Sequence, residues 1–354
     1  MKYSKVFINA IGYELAPHVV TTEEIEEKLK PFYEVAGFVP GQLVTLTGIM
    51  ERRYWDVDHT LAQGSAKAGR KAIEMASISP DDIDALVFCG VGRDGFEPAT
   101  ACTVANDLKI SSSAHVYDVS NACLGVITGM VQVANEIELG NIRAGLVVSC
   151  ETARQIVEST IDEINEAKSV DFYKKTIATM TGGSGAAAVL LTDGSFNTIA
   201  SGDRSNLHRI DGGVVRHADR YHKLCRWTFK ENGMPTNSKI CMRTDAHAVL
   251  EHGLALARET FISLRQELDI PDDKPDKIIC HQVGSTHEKM FLKAINMDGK
   301  KDFSTFPFLG NMGTVSLPMT AAIADERNFL NKGDYVGFLG IGSGLNCLMM
   351  GIEW

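Results

Sequence analysis

Short apolar runs alternate with stretches of helical periodicity along most of this chain. Runs of strand length, rich in Val, Leu, Ile and Ala, occur at residues 85–89, 116–119, 144–148 and 186–191. Apolar runs of this length are typical of strands that are buried on both faces of a sheet. Residues 124–134 combine small and apolar side chains in a pattern that predicts a helix buried in the centre of a domain. The alternation indicates an α/β protein.

The same alternation resumes in the C-terminal part of the chain. The predicted elements are a helix at 246–268, a strand at 277–280, helices from about residues 285 and 316, and strands at 335–340 and 346–350. Both parts follow one mixed α/β order, although no residue-level repeat is evident. We therefore predict two related halves, residues 1–195 and residues 196–354.

Two charged segments interrupt these halves. Residues 158–175 and 197–239 are richer in polar and charged side chains than their surroundings. Segments of this composition are most often solvated helix or loop, although such insertions often line binding sites. We therefore interpret both segments as solvated helix or loop and assign them no chemistry from composition.

Composition excludes several classes of protein. The 354 residues are 44% hydrophobic and 23% charged, as in ordinary globular domains, and the formal net charge of −10 argues against nucleic-acid binding. The eight cysteines form no CxxC pair, so neither a zinc cage nor a disulfide framework is expected. No membrane span is expected, and Glu14 falls where a secretory signal would be apolar. We expect a cytoplasmic protein.

The segment Asp118–Met130 carries the strongest chemical signal. It places Cys123 between the end of a predicted strand and the start of a helix built from small residues. The free N–H groups and positive dipole end of a helix N-terminus favour a thiolate and can hold an oxyanion. Taken alone, however, a cysteine at such a position is more often a buried packing residue.

Two later segments change this balance. His281 follows directly on an apolar strand, where an isolated histidine is more often structural, and Asn311 lies in a glycine-flanked turn, where it is more often a turn or cap residue. Together with Cys123, they supply a nucleophile and two hydrogen-bond donors for a thioester carbonyl. The glycine-rich segment 340–346 is a weak nucleotide-binding motif by itself, and no ribose-binding acid follows it.

The order and spacing of these segments, over essentially the whole chain, resemble the thiolase superfamily and specifically its ketoacyl synthase III branch. The resemblance implies a thiolase fold, with two pseudo-duplicated mixed-sheet halves in a layered αβαβα arrangement, and an obligate dimer. It implies that Cys123 is the nucleophile and that His281 and Asn311 stabilise the enolate of the second substrate. The N–H of Ser343 would complete an oxyanion hole with that of Cys123.

The sequence departs from the decarboxylating ketoacyl synthases III. Gln-Val-Gly follows His281 in place of their Gln-Ala-Asn, and Met-Gly-Thr-Val-Ser follows Asn311 in place of their Thr-Ser-Ala-Ala-Ser. These details, with Leu224-Cys225-Arg226 and segment 92–100, resemble the head-to-head acyl-CoA condensing enzymes of bacterial olefin biosynthesis. That resemblance implies that segment 92–100 is a dimer-contact loop whose Glu97 is the catalytic base, although an isolated glutamate before a proline is ordinarily an exposed loop acid.

Chemistry explains why a base would matter. A malonyl donor forms its enolate by losing carbon dioxide, whereas a plain acyl-CoA must give up an α-proton, and a desolvated carboxylate is a stronger base. We therefore expect non-decarboxylative condensation of two long-chain acyl-CoA molecules to a 2-alkyl-3-oxoalkanoic acid, without cofactors and within a homodimer, with downstream olefin-pathway enzymes as further partners.

Three alternatives stay open at this point. They are a decarboxylating 3-oxoacyl-ACP synthase III that uses a malonyl thioester, a cysteine thioester hydrolase based on Cys123 and His281, and a non-catalytic acyl-binding scaffold. The first would be indifferent to loss of Glu97. The second would release free acid from one acyl-CoA without forming a carbon–carbon bond, and the third would bind acyl-CoA without acylating Cys123.

Overall fold

The computed structural model describes residues 1–196, 207–229 and 240–354, which contain thirteen strands and twelve α-helices. The strands are β1 Phe7–Leu15, β2 His18–Thr21, β3 Glu51–Tyr54, β4 Ala85–Cys89, β5 His115–Val119, β6 Ala144–Glu151, β7 Gly185–Thr192, β8 His208–His217, β9 Cys225–Phe229, β10 Ile240–Thr244, β11 Lys277–Cys280, β12 Tyr335–Gly342 and β13 Asn346–Glu353. The helices are α1 Thr22–Lys28, α2 Lys30–Ala36, α3 Gln42–Thr47, α4 Leu61–Ala76, α5 Thr100–Leu108, α6 Gly125–Leu139, α7 Arg154–Ala167, α8 Val170–Thr176, α9 Ala246–Glu267, α10 Ser285–Ala294, α11 Phe306–Leu309 and α12 Ser316–Glu326.

Nine of the strands form one mixed sheet in the order β11-β12-β13-β8-β1-β7-β6-β4-β5. In its N-terminal half, β5, β4 and β6 are parallel, and β7 and β1 continue antiparallel. In its C-terminal half, β11 and β12 are parallel, and β13 and β8 continue antiparallel. The two halves join where Phe7 and Ile8 of β1 pair with Arg209 and His208 of β8.

The second half therefore repeats the strand order and directions of the first. Each half begins with the strand at the junction, β1 or β8, and ends with an antiparallel pair, β6–β7 or β12–β13. The counterpart of β5 in the second half is reduced to a parallel bridge between Ile278 and Asp302. The boundary of the predicted division into 1–195 and 196–354 falls between β7 and β8.

The helices form layers on both sides of these strands. Helices α6 and α12 lie in the middle, where their buried side chains join one core cluster with strands of both halves. Helices α4 and α5 cover the outer face of the N-terminal strands, and α9 and α10 cover the outer face of the C-terminal strands. The predicted α/β fold in a layered αβαβα arrangement is thus confirmed.

Helix α6 is the most apolar of the inner elements. Within the described residues, the stretch Ala122–Leu139 is the one helical segment whose length and composition would suffice to cross a membrane. Its side chains Val126, Met130 and Ile137 are nevertheless fully buried between the strand layers. The predicted buried central helix is therefore present, and it spans Gly125–Leu139.

Most predicted elements occur within a few residues of their expected positions, because continuous apolar runs mark buried strands reliably. The prediction for residues 197–239 was wrong in one respect, since His208–His217 forms β8 at the centre of the sheet. Its ends are polar and it contains two adjacent glycines, so its sequence lacks the continuous apolar run that indicates a buried strand. Gly213 is required there, because a Cβ would lie 2.7 Å from the carbonyl oxygen of Met349 on β13. Residues 197–206 and 230–239 of this prediction lie outside the described part of the chain.

The other charged segment, 158–175, is helical. It is part of α7 and α8, which are amphipathic and bury one face each in an aromatic and aliphatic cluster with α1–α3. Ile161 and Ile164 lie on this buried face, and Glu163 pairs with Arg243 at 2.6 Å. The segment is therefore a packed layer rather than a solvated insertion.

Burial of His208 at the junction of the two halves predicts a pH dependence of stability. Its ring stacks on Trp354 with the centroids 3.8 Å apart, and burial lowers its pKa from 6.5 to about 4. The unfolded chain binds this proton more tightly, so the stabilisation is complete above about pH 6.5 and is lost as the pH falls toward about 4. We expect His208→Phe to reduce the loss of unfolding free energy between about pH 7 and pH 5 by roughly 2 kcal/mol in urea titrations.

His208→Gln separates titration from packing in this test. Gln cannot take up the proton but loses the ring stack, so it should have lower stability throughout and the same flattened acid response as His208→Phe. Wild-type acid sensitivity in both variants would contradict the assignment.

Candidate active site

Cys123 lies in a tight turn between β5 and α6. The turn is closed by the Leu124 N–H, which donates to the Asn121 carbonyl at 2.9 Å, and the backbone of Ala122 adopts a positive φ of 45°. The Asn121 side chain donates to Thr128 Oγ1 at 2.9 Å and so fastens the turn to the first turn of α6. A strained residue directly before a candidate nucleophile, over-determined by its surroundings, is common at active sites.

The environment of Cys123 differs from the one predicted. Burial raises the pKa of the Cys123 thiol to about 12, and an ionised Glu151 would act in the same direction. Backbone hydrogen bonding at the helix start lowers the pKa, as the sequence suggested, but by less than burial raises it. Cys123 is therefore a neutral thiol at rest, because the helix that favours the thiolate is itself buried.

The β12–β13 hairpin lies against the nucleophile. A Cβ on Gly342 would lie only 3.4 Å from the backbone nitrogen of Cys123. Asn346 Nδ2 donates to Asn121 Oδ1 at 3.1 Å and to the Ser343 carbonyl at 3.4 Å. One side chain thus ties the turn containing Ser343 to the turn containing Cys123, as an oxyanion hole shared by these two residues requires.

Asn311 occupies a turn whose main chain is fixed on both sides. Its N–H donates to the Thr181 carbonyl at 2.8 Å, and its carbonyl accepts from the Gly183 N–H at 2.9 Å. Its side-chain Oδ1 accepts from the Gly313 N–H at 3.0 Å. Because the oxygen is engaged, the amide is oriented and its Nδ2 is the atom that can donate to a substrate.

Thr314 joins the Asn311 turn to the nucleophile helix. Its Oγ1 accepts from the Val126 N–H of α6 at 2.7 Å, across 188 residues of sequence. The side chain is 1% exposed, so it supplies an acceptor that water cannot. The two turns are therefore held together at the start of α6.

His281 follows β11 and is 7% exposed. The backbone N–H of His281 donates to the Leu339 carbonyl at 3.1 Å. This hydrogen bond continues the pairing of β11 with β12 toward Gly342. Burial, and to a smaller extent His287, lower the pKa of His281 to about 3. The imidazole is thus neutral at physiological pH. Its Nδ1 has no hydrogen-bond partner among the described residues.

Glu97 lies in an exposed loop, residues 90–99, rather than in the interior of its own chain. The loop is anchored by Asp94, whose carboxylate accepts from the Leu61 and Ala62 N–H groups at 2.7 and 2.9 Å. The neighbouring Phe96 is 73% exposed. The apolar surroundings predicted for Glu97 are therefore not provided by the same chain.

Three groups at this site were not singled out from the sequence. Asn121 and Asn346 meet only because the halves of the fold meet, so no sequence spacing reveals them. Glu151 ends β6 and is 4% exposed, with a pKa that burial raises to about 8. The one available signal was a glutamate at the end of an apolar strand, which is equally common on a surface.

Two family models match this chain. Residues 117–204 match 3-oxoacyl-[acyl-carrier-protein] synthase III, and residues 266–354 match the C-terminal model of the same enzyme. An acyl-CoA:acyl-CoA alkyltransferase of Shewanella oneidensis is 47% identical over 354 residues, which cover 100% of both chains. A β-ketoacyl-[acyl-carrier-protein] synthase III of Clostridium beijerinckii is only 24% identical over 357 residues, 99% of this chain and 100% of that one.

Solved structures of OleA from Xanthomonas campestris are similar along the whole chain. One aligns with a TM-score of 0.91 and 34% identity, and covers 100% of this chain and 98% of that chain. Structures of that enzyme include forms with a substituted cysteine, glutamate or histidine. Another contains bound lauric acid and lauroyl-CoA.

The contact between Thr314 and α6 can be tested by stability. Thr314→Val keeps the shape of the side chain but leaves the buried Val126 N–H without an acceptor, which costs about 1–3 kcal/mol. Thr314→Ser keeps the hydroxyl and serves as the matched control. We expect urea titrations to place the Ser variant above the Val variant in unfolding free energy. Equal stabilities would show that this hydrogen bond contributes nothing.

Proposed function

Since this chain belongs to the acyl-CoA:acyl-CoA alkyltransferase family, a branch of the 3-oxoacyl-ACP synthase III enzymes in the thiolase superfamily, we propose that it joins two long-chain acyl-CoA molecules head to head. The observation that carries this is identity of 47% and 34% to two such enzymes over the full length of all three chains. The reaction is a non-decarboxylative Claisen condensation, and the enzyme is an acyltransferase.

In the first step, Cys123 attacks the thioester carbonyl of one acyl-CoA. A sulfur–carbon bond forms, CoA leaves as the thiol, and the acyl group remains on Cys123. The backbone N–H groups of Cys123 and Ser343 hold the oxyanion of the tetrahedral intermediate. The proximity of the Gly342 main chain to Cys123 supports this pairing. Because the resting thiol is neutral, its proton is transferred during this exchange and leaves on the CoA sulfur.

In the second step, a second acyl-CoA loses its α-proton to Glu97 of the partner subunit. Within its own chain Glu97 is exposed at the tip of an anchored loop, beside the exposed Phe96. β5 is an edge strand of the sheet and is available for pairing. Both features support a homodimer in which each loop reaches the other site, where the apolar surroundings that strengthen a carboxylate base would be completed.

The carbanion then attacks the acyl-Cys123 carbonyl. A carbon–carbon bond forms, the bond to sulfur breaks, and a 2-alkyl-3-oxoacyl-CoA is released. The Cys123 thiolate takes up the proton that Glu97 removed, so that both groups return to their resting states. Hydrolysis of that thioester gives the 2-alkyl-3-oxoalkanoic acid and CoA. His281 and the oriented Nδ2 of Asn311 donate to the thioester oxygen of the second substrate and stabilise its enolate. A neutral imidazole suits this role, because it can donate one N–H without carrying a charge into the site.

The proposed reaction uses no metal and no cofactor beyond its CoA thioester substrates. We place the enzyme in the cytoplasm, where acyl-CoA is available, and we assign it to olefin biosynthesis, in which downstream enzymes would take the keto acid. A long acyl chain is supported by the lauroyl-CoA bound to Xanthomonas campestris OleA.

Two rival reactions are less well supported. A decarboxylating synthase has no need of a base, and its representative is only 24% identical. A thioester hydrolase would need a general base for water near Cys123, whereas burial holds the pKa of His281 at about 3 and makes it a weak base at neutral pH.

Incubation with a single long-chain acyl-CoA, without any malonyl thioester, tests the proposed reaction. We expect wild-type protein to form a doubled β-keto acid or its ketone, and Cys123→Ala to form neither product nor acyl-enzyme in intact-mass spectra. Cys102→Ala is the matched control, because Cys102 is an exposed cysteine on the same half of the chain, and it should behave as wild type. Acyl-Cys123 that condenses only after addition of malonyl thioester would assign the decarboxylating reaction instead.

The action of Glu97 across a dimer can be tested with mixed subunits. Glu97→Ala and Cys123→Ala should each be inactive in condensation when purified alone, although Glu97→Ala should still acylate Cys123. A heterodimer of the two has one complete site, so random mixing should restore about a quarter of the wild-type site activity. No recovery on mixing, with dimers demonstrated by mass, would show that Glu97 acts within its own chain or not at all.

A further inference from the structure

Glu151 is a buried carboxyl that no step of the proposed reaction uses. It is the last residue of β6 and is 4% exposed. Its Oε1 accepts from the Val91 N–H at 2.9 Å. Val91 lies at the start of loop 90–99, six residues before Glu97. The carboxyl therefore holds the loop at the point where it leaves β4.

The same carboxyl contacts the turn that carries Asn311. A Cβ on Gly313 would lie 3.3 Å from the carboxyl carbon of Glu151, so the turn packs directly on this group. The Thr314 N–H lies close enough to oppose the burial effect on the pKa of the carboxyl, and the Gly313 N–H donates to Asn311 Oδ1 at 3.0 Å. One side chain thus bridges the loop of Glu97 and the turn of Asn311.

Glu151 has no cationic partner among the residues that the structure describes. The ion pairs formed within residues 1–196, 207–229 and 240–354 include none to this carboxyl. Burial raises its pKa to about 8, so it is mainly protonated at neutral pH. A protonated carboxyl still accepts hydrogen bonds through its carbonyl oxygen. It places no negative charge beside Cys123, whose pKa an ionised Glu151 would raise.

We propose that Glu151 is a positioning residue that fixes loop 90–99 against the Asn311 turn and thereby sets the placement of Glu97 and Asn311 for the condensation step. The inference rests on the proposed function for the roles of those two residues. Acylation of Cys123 requires neither Glu97 nor the enolate donors, whereas condensation requires both. Loss of the bridge should therefore affect the second step selectively.

Hydrogen exchange of the dimeric wild-type protein and two variants tests the bridge itself. Glu151→Met keeps the length of the side chain but removes both oxygens, and Glu151→Gln keeps an oxygen acceptor without an ionisable group. We expect amides of loop 90–99 to exchange roughly tenfold faster in the Met variant and within about threefold of wild type in the Gln variant. Unchanged exchange in the Met variant, or equal acceleration in both, would overturn the proposal.

Single-turnover kinetics then separate the two steps. We expect Glu151→Met to release CoA in the acylation step at within about threefold of the wild-type rate, but to form condensed product from acyl-enzyme at least about tenfold more slowly. Glu151→Gln should recover most of this loss. Ser149→Ala, a substitution of another buried residue two positions earlier on β6, is the control for general disturbance of the strand.

The outcomes separate failure of this inference from failure of the proposed function. A proportional fall of both steps in Glu151→Met, as a merely structural defect produces, would overturn the positioning role. If wild-type protein forms no condensed product at all, the proposed function is wrong. The exchange experiment would still decide whether Glu151 holds the loop.

Discussion

The buried start of α6 is the constraint on which the site depends. The first N–H groups of a helix have no partner within it, and between two strand layers water cannot supply one. Thr314, from the other half of the fold, provides the acceptor for Val126. The hydrogen bond that satisfies the Val126 N–H therefore holds the Asn311 turn close to the Cys123 turn. The hydrogen bond between Asn346 and Asn121 holds the β12–β13 hairpin at the same site.

Burial also gives the site its electrostatic character. It raises the pKa values of Cys123 and Glu151 and lowers that of His281, so all three groups favour their neutral forms at physiological pH. Such an arrangement avoids the cost of unpaired buried charges. In the proposed mechanism, negative charge develops on the substrate, as an oxyanion or an enolate. Oriented N–H groups are already in place to stabilise it. The one exposed acid of the proposed mechanism, Glu97, lies outside this neutral interior.

The sequence predicted the layers of the fold well because buried strands and helices leave continuous apolar runs. Helix α6, strands β4 and β11, and the residues that end or follow such runs, Cys123 and His281, were accessible for that reason. β8 was not, since its glycines serve contacts with distant chain segments and lower its strand signal. The contacts of buried Glu151 could not be predicted, because a local sequence pattern does not show how deeply a side chain is buried. For the same reason, the sequence did not show that burial would outweigh the helix dipole in setting the pKa of Cys123.

The duplicated halves differ in how their final antiparallel strands are connected. In the first half, residues 152–184 separate β6 from β7 and include α7 and α8; in the second, three residues join β12 to β13. The short hairpin lies against Cys123, so any change in its length would move the main chain beside the nucleophile. The long connection has no such restriction. One copy of the repeat can therefore take up a change of length without moving the nucleophile, whereas the other copy cannot.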